Sequence, residues 1–75
     1  MDHSNRVAVY QIRVEGHVHE RWFEGLDVFQ TAAGETIIRG AFDQAALHGL
    51  LTRIRDLALE LISVQRIPQE ERNSE

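Results

Sequence analysis

Asp43-Gln44-Ala45-Ala46-Leu47-His48-Gly49-Leu50-Leu51-Thr52-Arg53-Ile54-Arg55-Asp56-Leu57, followed within a few residues by Leu61-Ile62-Ser63-Val64-Gln65-Arg66-Ile67, decides the fold. Leu47, Leu50, Leu51, Ile54, Leu57 and Ala58 recur at spacings of three and four, which places them on one face of a helix. His48, Thr52, Arg55 and Asp56 occupy the remainder. Asp43 stands where an N-cap belongs, its carboxylate able to accept the free N–H groups of the first turn at the positive end of the helix dipole. Gly49 in the middle costs about 1 kcal/mol relative to alanine, which predicts that the helix backbone lies close to a neighbouring strand or to another subunit. Leu59 to Ile67 is β-branched enough for a strand, and Pro68 ends it.

Upstream, the even positions Ala8, Tyr10, Ile12, Val14, Gly16 and Val18 alternate with Gln11, Arg13, Glu15, His17 and His19. Period two over that length predicts a strand with one buried face. The phase is lost at His19-Glu20-Arg21, where a turn or bulge is expected. A second strand is read from about Phe23 to Thr31, with Gly25 suggesting a bulge or close backbone approach. Ala32-Ala33-Gly34-Glu35 is a short loop whose glycine can supply positive φ, and Thr36 to Ala41 forms a third strand.

The expected architecture is a single α+β domain over residues 7–67, in the order βββαβ. It comprises a three-stranded antiparallel meander, one amphipathic helix and a fourth strand, with the helix on one face of a four-stranded sheet. Residues 1–6 are expected to be a flexible N-terminus and 68–75 a disordered polar tail. A right-handed crossover through the helix sets the fourth strand parallel to the third. Strand orders 4-1-2-3 and 1-2-3-4 both satisfy this; the first is preferred because the helix then spans the middle of the sheet. One helix covers one face, so Val7, Val9, Phe29 and Ile37 leave the other too apolar for water. A second copy of the chain is the expected cover.

Seventy-five residues with 43% apolar and 27% charged side chains suit one ordinary globular domain with a thin core. Without cysteine there is neither a disulfide framework nor a thiolate zinc site to reinforce it, which again favours oligomerisation. The net charge of −4 argues against nucleic acid or an anionic membrane as partner. All eight basic residues are arginine, a bias that GC-rich codon usage explains most simply. No apolar run reaches the ~20 residues of a membrane span, and Met1 to Arg6 lacks the order of a signal peptide. Cytoplasmic residence is expected.

The chemistry-bearing residues are few. His17 and His19, at i and i+2, would share one side of a strand, but two imidazoles do not make a metal site; they read as a polar strand face, and no metal or other cofactor is expected. His48 reads as a boundary residue of the helix. No cysteine nucleophile is present, and Arg39-Gly40-Ala41-Phe42-Asp43 places an acid where a phosphate loop would receive its ligand. No catalytic residue is assigned, and an enzyme is not expected. Trp22 and Phe23, adjacent in a strand, would send one ring into the core and leave the other to anchor a partner.

The block Asp43 to Leu51, with Ile54-Arg55-Asp56-Leu57 and Leu61-Ile62-Ser63-Val64 behind it, resembles a group of small uncharacterised bacterial proteins carrying D-Q-A-A-L-H-G-L-L and then I-R-D-L. Trp22-Phe23-Glu24-Gly25-Leu26 and Gly34-Glu35-Thr36 extend the likeness over most of residues 10–67. Where the group leads one to expect glycine after the helix, this chain has Ala58. The resemblance implies no activity. The expectation is therefore a non-catalytic, self-associating binding or protein-interaction module, a homodimer or higher homo-oligomer, with an unidentified protein as the other candidate partner. The alternative is a small-ligand or metal-responsive regulatory domain. Val7, Val9, Trp22, Phe29 and Ile37 are the candidate interface residues.

Overall fold

In the computed structural model, which describes residues 6–68, the alternation beginning at Ala8 ends at Glu15, giving strand β1 (Ala8–Glu15). Gly16 stops it with φ of +92°, a left-handed value that suits glycine. The strand is therefore shorter than the alternation to Val18 predicts, and His17 and His19 stand in the connection rather than side by side on a strand. The phase loss at His19 to Arg21 is one 3₁₀ turn (Glu20–Phe23), capped by His19, whose Nδ1 accepts from Arg21 N at 3.1 Å. The expectations made for residues 1–5 and 69–75 lie outside the described residues.

Strand β2 (Asp27–Gln30) is only four residues long. Phe23, expected to begin it, belongs to the 3₁₀ turn, and Gly25 at φ +83° bends the chain ahead of the strand instead of bulging it from within. Gly34, at φ +86°, closes the hairpin to β3 (Glu35–Phe42), and Thr31 N donates to Glu35 O at 2.9 Å. Helix α1 (Gln44–Asp56) starts at the predicted cap, with Asp43 Oδ1 accepting from Ala46 N at 2.8 Å. Its far end closes as a Schellman motif: Ala58 N donates to Arg55 O and Leu59 N to Ile54 O. Ala58 takes the left-handed position at φ +60°, with a methyl where glycine would sit freely. Strand β4 (Leu61–Ile67) follows.

The α+β class and the βββαβ order hold, and the four strands form one antiparallel sheet with a helix on one face. Their spatial order is β2-β3-β1-β4. The meander adjacency of β1 and β2 is thus corrected: β1 lies between β3 and β4, and β3 separates it from β2. Since β3 and β4 both oppose β1, they run in the same direction, as the crossover argument requires, and β4 does lie beside β1. The same reasoning makes β1 and β2 co-directional. The chain is two interleaved crossover units of the split β-α-β kind, one built with α1 and the other with a single 3₁₀ turn. Local periodicity carries no information about which strand inserts into which unit.

The core lies between α1 and the covered sheet face, where Ile12, Val14, Ile38 and Phe42 meet Leu47, Leu50 and Ile54, with Val18 and Phe23 added by the first connection. Leu51 and Leu57 pack against this cluster only in part, so the apolar stripe of the helix is narrower than predicted. Trp22 and Phe23 divide as expected, Phe23 buried and Trp22 exposed, although helical turn geometry and not strand alternation separates them. Thr36 is wholly buried, and its hydroxyl donates to Gly16 O at 2.7 Å while accepting from Val18 N at 3.0 Å. One side chain thereby satisfies two backbone groups that leave the sheet at Gly16. Gly40 is a packing glycine, since a Cβ there would come within 2.7 Å of Leu26 Cδ2. Gly49 is not: a Cβ there meets nothing within 4 Å, so no strand approaches it.

Candidate functional site: the uncovered sheet face

Strand parity places Val9, Gln11, Arg13 and Glu15 of β1 on the face away from α1. Cross-strand register lines them up in rows. Val9 lies between Ala41 and Ile67; Gln11 lies between Arg39 and Gln65, with Asp27 beyond Arg39. Arg13 lies between Ile37 and Ser63, with Phe29 beyond Ile37. The face is therefore banded, a polar row between two rows with apolar members.

The polar groups answer one another. Arg39 donates to Gln11 Oε1 through Nη2 at 2.5 Å and Nε at 3.2 Å, and its guanidinium carbon lies 5.8 Å from the centre of the Phe29 ring. Arg13 Nη1 meets Glu35 Oε1 at 2.6 Å, a part-buried ion pair. In this half-exposed setting such a pair is worth about 0.5 to 1 kcal/mol, so its effect is to hold long side chains flat and in fixed places. The cation–π contact does the same for Phe29. The result is a preordered surface.

Of the residues read from sequence, Val9, Phe29 and Ile37 share this face, Phe29 and Ile37 as direct cross-strand partners. Phe29 is 48% exposed, whereas Val9 and Ile37 are half-buried by their neighbours. Val7 precedes β1 and is exposed. Trp22 is elsewhere: it borders a groove of about 390 Å³ between the 3₁₀ turn and α1, and its carbonyl accepts from Arg53 Nη1 at 3.1 Å. Sequence reading missed Gln11, Arg13, Glu35 and Arg39 as a connected set. Their pairing follows only once β1 is set beside β3. It also missed the exposed Leu61, Ile62 and Val64 on the edge strand β4, where a register shift between Arg13 and Val14 marks a bulge. His17 and His19 are exposed, and among the described residues no three His, Cys, Asp or Glu side chains gather in a way that could hold a metal ion. No helix among these residues is long and apolar enough to cross a membrane.

Fold and surface together define a small α+β domain with one sheet face covered by its own helix and the other left bare. Residues 9–65 match the family described as Domain of unknown function (DUF8691), and the chain belongs to that family. No curated protein and no solved structure matches it.

Proposed function

We propose that this domain is a non-catalytic, self-associating interaction module of the bacterial cytoplasm, and that its bare sheet face packs against the same face of a second copy. The observation that carries the reading is Phe29, held 48% exposed beside Ile37 on a face where Arg39 pairs with Gln11 and Arg13 with Glu35. Ordered apolar surface flanked by satisfied polar groups is what a protein interface presents before binding. A twofold axis suits it, because the banded rows can meet their own kind across the interface. Sheet-on-sheet packing about 10 Å apart would then complete a second core.

Light scattering over a micromolar dilution series tests the reading. A mass of twice the 8.6 kDa of one chain is expected, and Phe29→Glu is expected to reduce it to one chain while the circular dichroism spectrum is retained. A parent protein that stays monomeric throughout the series overturns the proposal.

A further inference from the structure

Tyr10 and Ala8 are two positions apart on β1, on the side that faces α1, and Arg6 lies just ahead of the strand. Directly across from Tyr10 on β4 is Arg66. The helix begins at Gln44, and its side chain reaches back so that Nε2 donates to Tyr10 Oη at 3.0 Å. These five residues, Arg6, Ala8, Tyr10, Gln44 and Arg66, line a cleft of about 190 Å³ at the corner of the sheet where cover by α1 ends.

The charge arrangement is unlike that of Arg13, Arg39, Arg53 and Arg55. Arg13 is paired with Glu35, Arg55 lies near Asp56, Arg39 is bound to Gln11 and Arg53 to a carbonyl. Arg6 and Arg66 meet no carboxylate among the described residues, and no acid lines their cleft. Asp43, adjacent in the chain to Gln44, directs its carboxylate at Ala46 N as the helix cap. Two like charges are therefore brought to one small space in a chain whose net charge is −4. Ala8 contributes only a methyl to the lining. Because Gln44 donates to the Tyr10 oxygen, the hydroxyl proton of Tyr10 is free to donate in turn.

We propose that this cleft binds a phosphoryl group carried by a small molecule. Guanidinium groups make bidentate, charge-assisted hydrogen bonds to such oxygens, and two of them match a dianion. Donors supplied by three segments, the approach to β1, β1 itself and β4, suit a tetrahedral group better than a planar carboxylate. The space holds the head of a ligand, with the rest projecting into solvent past the open corner. The site lies on the opposite side of the sheet from the proposed self-association face, so it stands or falls separately from that reading.

The test is a titration followed by amide chemical shifts at constant ionic strength, with inorganic phosphate, a simple phosphomonoester, acetate and chloride as probes. Saturable shifts at Tyr10, Gln44 and Arg66 are expected with phosphate and the phosphomonoester, and none of that kind with chloride. Arg66→Gln and, separately, Arg6→Gln should each weaken binding about tenfold, the loss of one charge-assisted contact set; Arg55→Gln should leave it unchanged. Arg6 precedes the strand, so its replacement leaves the sheet pairing in place. Equal responses to phosphate and chloride, stronger binding of acetate, or phosphate binding that survives both replacements overturns the assignment. Light scattering on the same samples reads the self-association independently.

Discussion

The two crossover connections perform the same topological task by different means. Each joins co-directional strands with one strand between them, but β3 reaches β4 through a capped helix, and β1 reaches β2 through a connection with one 3₁₀ turn. The helix carries its own instructions, a cap at Asp43 and an apolar stripe at helical spacing. The first connection borrows its order from elsewhere: Thr36, on a strand reached only later in the chain, binds Gly16 O and Val18 N. One segment is specified locally and docks; the other acquires its shape from the sheet.

The contrast is open to direct attack. The largest effect is expected at the helix, where Ile54→Ala removes a side chain only 2% exposed and should cost about 2 to 5 kcal/mol in denaturant melts. A change within about 0.5 kcal/mol would mean that α1 is not what seals the core. Next comes Thr36→Val, which keeps the volume but strands a buried N–H, for about 1 to 3 kcal/mol. Hydrogen exchange should locate this loss, with Val18 N–H deprotected far more than amides inside α1. Uniform deprotection would show that the first connection is not separately held. The smallest effects are two gains within the helix unit. Gly49→Ala and Ala58→Gly should each stabilise by about 1 kcal/mol, the former because open space surrounds the missing methyl and the latter because glycine relieves the left-handed position. A loss of stability for Gly49→Ala that grows with protein concentration would instead place a second copy against α1.

The same division explains what the residues disclosed in advance. Asp43, Leu47, Leu50 and Ile54 could be placed from spacing because helix geometry is set within a turn. The alternation from Tyr10 to Val14 and the hairpin at Gly34 were equally local. The strand order was not, since Ile12 pairing with both Ile38 and Val64 depends on contacts remote in sequence. For the bare face, alternation was enough to find Val9, Phe29 and Ile37. The lattice of Arg13, Glu35, Arg39 and Gln11 stayed hidden behind the unknown adjacency of β1 and β3. The corner cleft was hidden for the same reason, as Arg6 and Arg66 approach each other only across the pairing of β1 with β4.

The central position of β1 also has a consequence in time. Its two neighbours are the third and fourth strands, and Val9 is paired with Ile67 near the far end of the sheet. During synthesis the hairpin of β2 and β3 can form early, but β1 cannot gain its second neighbour until β4 has left the ribosome. Closing so long a loop is an entropic cost met late. The nascent chain therefore holds its central strand, with Ile12 and Val14, half-paired until almost the last residue of the sheet is made, and that interval is when a chaperone has most to protect.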